Sequence, residues 1–190
     1  MSRLAAGDIA PAIDATSIRG DRVRIADRDG RLVHLQFRRF AGCPICNLHL
    51  RKLAAHADEL RAKGIHEVVV FHSSQSEMAQ YQAALPFDCI ADPAKALYRR
   101  YGVEASLLSV LHPAAMWAGL RGVVAGRRIA TTMENGVLGL PADFLIEPDG
   151  RIRAAHYGRH ADDNWDAGTI LDLAKRNTRA TVSDPTSPAA

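Results

Sequence analysis

Two apolar runs bracket the part of the chain that most restricts its fold. LVHLQF, from Leu32 to Phe37, and the β-branched IHEVVVF beginning at Ile65 each have the length and composition of a strand. Between them, from Pro44 to about Lys63, Leu48, Leu50, Leu53, Ala57 and Leu60 recur at helical spacing, and Gly64 ends the segment. Strand, helix and strand in that order predict a crossover unit in a sheet with parallel pairing. The second run suits a central strand covered on both faces. At the first strand-to-helix junction stands FAGCPICNLHL, residues 40–50, with two cysteines three apart.

The rest of the chain extends the same pattern. Residues 1–20 read as an irregular lead-in, and DRVRIAD with RLVHLQF reads as a hairpin turning near Asp29–Gly30. QSEMAQYQAAL reads as a helix capped by Ser74 or Ser76. FDCIAD is a short strand, and PAKALYRRYGV a helix begun by its proline and stopped by Gly102. LGLPADFLIEPDGRIRAAHYG reads as two strands joined by a turn at Pro148-Asp149-Gly150. DDNWDAGTILDLAKR is a closing helix with an aspartate-rich start. Residues 104–136 are apolar enough for one or two short helices broken at Pro113, followed by a loop. The expectation is an α/β fold with a central mixed β-sheet flanked by helices, in a single domain over residues 1–176. The tail over 177–190 has little apolar content and is expected to be disordered.

Bulk properties narrow the function. A formal charge of +3 with basic residues spread along 190 residues gives no nucleic-acid signature. No apolar stretch is long enough for a transmembrane helix or a signal peptide, so a cytoplasmic protein without a membrane partner is expected. Three cysteines are no secreted disulfide framework, and in a reducing compartment a close pair points to catalysis or metal binding.

Pro44 favours the first helical position, which puts Cys43 at or near the helix N-cap. Its sulfur then faces free backbone N–H groups and the positive end of the helix dipole. Both stabilise a thiolate. Cys46, one turn further in, is expected to be less exposed and to have a more ordinary pKa. That asymmetry suits an attacking and a resolving thiol. Arg38 and Arg39, just upstream, are candidates for electrostatic support. Three readings stay open: a redox pair, a structural pair, and a zinc site recruiting His34 or His49. The position at a strand-to-helix junction favours the first, with no cofactor implied. Pro141 immediately precedes a predicted strand. A cis Leu140–Pro141 bond would set an exposed backbone edge against the pair, and Pro44, Leu140 and Pro141 are the expected substrate groove.

FRRFAGCPICNLHLRKL, VVVFHSSQSEMAQYQ, FDCIADPAKALYRRYGV and LPADFLIEPDGRIRAAHYG resemble the AhpC/TSA peroxiredoxin-like proteins of the thioredoxin-fold superfamily, over about residues 5–175. The resemblance implies a thioredoxin-like sheet with Cys43 at the first turn of a helix. It departs from the family's Pro-x-x-x-Thr/Ser-x-x-Cys motif, which clamps a peroxide. Counting back from Cys43, Phe40 and Gln36 stand at the Thr and Pro positions; counting back from Cys46, Cys43 and Arg39 do. The family's distant arginine would fall near Pro141, and its usual tryptophan before the first cysteine is Gly42.

The expected function is therefore thiol–disulfide oxidoreduction by Cys43 and Cys46 on a thiol or disulfide protein substrate. A thioredoxin or glutathione-type reductant would restore the pair. The alternatives are a thiol peroxidase acting on a hydroperoxide, where Cys43 becomes a sulfenic acid that Cys46 resolves, and a non-enzymatic redox sensor. Cys89 reads as a buried small hydrophobe, with a distant resolving thiol as the alternative. His72 and His156 read as structural, Asp162 and Asp163 as helix caps, and the apolar segment around Trp117 as core or a homodimer surface.

Overall fold

The computed structural model describes residues 2–25, 30–103 and 139–176. Its elements run β1 (Ile13–Thr16), β2 (Arg22–Ile25), β3 (Leu32–Arg38), α1 (Pro44–Ala54), α2 (Ala57–Ala62), β4 (Ile65–Phe71), α3 (Gln75–Gln82), β5 (Asp88–Ala91), α4 (Ala96–Arg100), β6 (Ala142–Ile146), β7 (Ile152–Tyr157) and α5 (Ala167–Lys175). Five strands form one sheet in the order β5-β4-β3-β6-β7. β3, β4 and β5 are parallel, whereas β6 and β7 join antiparallel to β3. The expected mixed sheet is present, with the cysteine-bearing strand at its centre.

The hairpin expected between DRVRIAD and RLVHLQF is not formed. β2 pairs antiparallel with β1, inside the segment read as an irregular lead-in, while β3 takes β4 and β6 as neighbours. The alternation along β3 has another cause than a solvent face. Val33, Leu35 and Phe37 point into one apolar core with Val70, Phe144 and Tyr98. His34, Gln36 and Arg38 point to the other side and are also buried. A buried, mutually bonded polar row gives the same period as an exposed one.

That second face packs Val69, Phe71 and Cys89 against Leu50 and Leu53 of α1, Met78 of α3 and Ile170 of α5. Truncating a leucine such as Leu50 to alanine would cost about 2–5 kcal/mol. The expected helix from Pro44 to Lys63 is two helices, interrupted at Ala55–His56, and Gly64 ends the second with φ +71°.

α3 starts at Ser74, whose Oγ accepts the Glu77 N–H at 3.3 Å, as expected. α4 starts after the expected proline: the Asp92 carboxylate accepts the N–H groups of Ala96 and Leu97 at 2.9 and 2.7 Å. The last helix is capped by Asp166, which accepts from Thr169 at 2.8 Å, and not by Asp162 or Asp163. Asp163 instead binds His156 at 2.9 Å. The segment 104–136 with Trp117, and the tail over 177–190, lie outside the described residues. No described helix is long and apolar enough to cross a membrane.

Candidate active site

Phe40 accepts the Cys43 N–H at 3.0 Å, closing a tight turn centred on Ala41 and Gly42 between β3 and α1. Cys43 follows as the N-cap of α1, in extended conformation, with Pro44 opening the helix. The Cys46 N–H points to Cys43 Sγ at 3.4 Å, and the two sulfurs are 2.8 Å apart as free thiols. Arg39 Nη2 donates to Cys43 Sγ at 3.0 Å. Sequence spacing and structure thus bring Cys43, Pro44, Cys46 and Arg39 together.

The expected difference in exposure is absent. Cys43 is 0 % and Cys46 2 % exposed, under a cover that includes Phe40, Ile45 and Ala161. A partner sulfur reaches them only when that cover moves.

The two thiols ionise as a coupled pair. The Cys46 thiol is lowered to about 6: burial opposes its ionisation, but the Cys43 contact and the Arg39 charge outweigh it. Cys43 is pushed well above the ordinary thiol value by burial and then by Cys46, against the pull of Arg39. Donors reach both sulfurs, Arg39 among them through its side chain and its backbone. The Arg39 guanidinium, the Cys46 N–H and the Cys46 S–H all reach Cys43 Sγ. One proton shared across 2.8 Å belongs to the pair. Arg39 bonds to Cys46 as well as to Cys43, so the charge of the first ionisation is held by the pair. The expectation of an ordinary pKa at Cys46 is corrected on the same ground.

Arg38 does not repeat the role of Arg39. It is fully buried and donates to Asp143 Oδ1 at 2.6 Å and Gln36 Oε1 at 2.7 Å, with His49 Nε2 at 3.2 Å. A guanidinium only donates, so His49 Nε2 is the unprotonated nitrogen. Burial, then Arg38, holds His49 down to about 3. His34 closes the row between Glu67 at 2.7 Å and Asp143 at 3.2 Å. Burial alone would lower His34, but Glu67 and Asp143 raise it to about 9. Both histidines considered for zinc are thus engaged elsewhere. Among the described residues no group of His, Cys, Asp and Glu could hold a metal.

The Leu140–Pro141 bond is trans, since the described residues contain no cis peptide. Leu140 is only 9 % exposed, so the expected open backbone edge is not there. The Pro141 carbonyl accepts the Gly158 N–H at 2.9 Å instead. The segment meets the cysteine site through Gly139: a Cβ there would lie 3.2 Å from His72 Nε2 and 3.3 Å from Arg39 Cγ. His72 is buried edge-on to the Tyr98 ring at 5.7 Å, and burial, then Lys95, lowers it to about 4. Burial pushes the Cys89 thiol up to about 12, consistent with an inert core residue.

Sequence reading missed the side chains that hold the turn. Ala41 N–H donates to Ser73 Oγ at 2.9 Å, and Ala41 O accepts from Gln82 Nε2 at 2.7 Å and Asn47 Nδ2 at 3.0 Å. Gln82 and Ser73 lie 32 to 41 residues away, so no local signal marks them.

A sequence model of the AhpC/TSA family matches residues 6–155. Among solved structures, the chain resembles the peroxidoxin BcpB of Mycobacterium tuberculosis, with TM-score 0.64 and 12 % identity over 90 % of this chain and 95 % of that one. A putative thiol:disulfide interchange protein DsbE from Chlorobium tepidum gives 0.60 and 22 % over 91 % and 99 %. Peroxiredoxin 6 of Arenicola marina gives 0.65 and 15 % over 90 % and 72 %. These likenesses show a thioredoxin-type fold. Comparison with curated proteins finds no match.

Proposed function

Because the chain belongs to the AhpC/TSA family, we propose that it is a redox enzyme working by thiol–disulfide exchange at Cys43 and Cys46. The observation that carries this reading is the 2.8 Å contact between two free sulfurs at a helix N-terminus, with Arg39 at 3.0 Å. The Cys43 thiolate attacks one sulfur of a substrate disulfide, forming a mixed disulfide and expelling the other sulfur as a thiolate. Cys46 then gives up its proton and attacks Cys43 Sγ, expelling the second substrate sulfur. The substrate gains two electrons and leaves as two thiols, and the enzyme is left as the Cys43–Cys46 disulfide. A thioredoxin-type dithiol, or two thiols of the glutathione type that leave as their disulfide, restores it.

A second reading, thiol peroxidase, is favoured by one observation: Arg39 brings guanidinium donors to the sulfur that a peroxide oxygen would meet. Against it, Phe40 offers no hydroxyl beside Cys43, and Gln36 is occupied by Glu67 and Arg38.

The test compares wild type, Cys43→Ser and Cys46→Ser for reduction of oxidised glutathione and for consumption of hydrogen peroxide. Exchange should vanish in Cys43→Ser, and Cys46→Ser should stall as a glutathione adduct on Cys43. A Cys43→Ser variant with wild-type exchange sinks the reading. Peroxide consumption faster than exchange selects the peroxidase.

A further inference from the structure

The turn before Cys43 is held by an unusual convergence of buried side chains. Ala41 and Gly42 are its centre, and the peptide groups of Ala41 are bonded on both sides. Ser73, from the loop after β4, accepts its N–H; Gln82, at the end of α3, and Asn47 of α1 donate to its carbonyl. Gln82 Nε2 also donates to Asn47 Oδ1 at 2.9 Å, so the two amides orient each other. Ala41, Ser73 and Gln82 are all buried, which makes each bond costly to leave unmade. The position of Cys43 Sγ between Arg39 and the helix N-terminus depends on this turn, because only Gly42 separates the pinned residue from Cys43.

We propose that Gln82, with Ser73 and Asn47, positions the redox centre: the set fixes the Ala41 peptide and so holds the Cys43 sulfur against Arg39 and the Cys46 N–H. Its significance rests on the redox reading above, but its readout does not. The ionisation midpoint of Cys43 is measured on reduced protein, by the pH dependence of iodoacetamide labelling followed on the Cys43 peptide.

Gln82→Met keeps the packing and removes both donated bonds. It is expected to raise the midpoint by about one pH unit, because the sulfur drifts from its donors. Ser73→Ala should shift it the same way, and Ser73→Thr, which keeps the oxygen, should return it to the wild-type value. Ile152→Val, a mild truncation in the separate core on the other face of the sheet, should leave it unchanged. A folded Gln82→Met or Ser73→Ala protein whose midpoint stays within about 0.2 units of wild type overturns the proposal. Should neither fold, the wild-type Ala41 amide decides. It should exchange hydrogen only at the rate of global unfolding, and fast exchange overturns the proposal. A wild type that labels normally but never forms a disulfide would sink the redox reading and leave these midpoints interpretable.

Discussion

Replacing Arg39 with methionine removes the guanidinium 3.0 Å from Cys43 Sγ while keeping most of the aliphatic stem. At that separation a unit charge and a thiolate attract by roughly 5 kcal/mol at an effective dielectric of about 20. Hydrogen bonds to charged groups contribute less once solvation is counted, about 1.5–3 kcal/mol. At about 1.4 kcal/mol per pKa unit, the lower range raises the pair's first ionisation by about 1–2 units. The sign follows from the charge: arginine favours the thiolate, so its loss favours the thiol. The midpoint should therefore rise by about 1–2 units from its wild-type position. The rate at neutral pH is a poor observable, because a less acidic thiolate is a better nucleophile and offsets part of the lost population. The assay is therefore the full pH profile, by thiolate absorbance or by alkylation of the Cys43 peptide. A shift below about 0.3 units would refute the assignment of Arg39 as the principal donor to this sulfur.

Two further outcomes follow from the buried polar row and from the Pro141 loop. His34, raised to about 9 in the folded protein, contributes stability that is fully present below about pH 6.5 and is lost as pH rises through about 9. The loss should be on the order of 3 kcal/mol, read as a falling urea midpoint between pH 6.5 and 10; a flat profile sinks it. Gly158→Ala would place a Cβ 2.6 Å from both Pro141 Cγ and the Asp163 carbonyl. It should destabilise the fold by about 1–3 kcal/mol or more in urea unfolding, and a neutral change would contradict the packing of that loop.

Much of the architecture was legible locally. The apolar runs of β3 and β4, the Ser74 cap, the Gly64 stop and the β6–β7 turn at Gly150 each depend on residues within a few positions of one another. The pairing of β2 was not legible, because alternating apolar residues suit any partner strand and sequence proximity suggested the wrong one. Nor was the fate of the polar half of β3. His34, Gln36 and Arg38 look like a solvent row until the β4 and β6 register places Glu67 opposite His34 and Asp143 opposite Gln36.

The candidate site divides in the same way. The sequence by itself determined the pair: C-P-x-C after a strand puts Cys43 at a helix N-cap and Cys46 one turn on, since capping and helical pitch are local geometry. Tertiary structure decided what surrounds it. Of two adjacent arginines, Arg39 meets the sulfur and Arg38 is taken by Asp143, because Arg38 ends β3 in the buried polar row while Arg39 already lies in the turn beyond it, and their partners come from 4 and 105 residues away. Burial of both thiols and the grip of Gln82 and Ser73 on Ala41 arise from contacts between distant segments, which short-range spacing cannot encode.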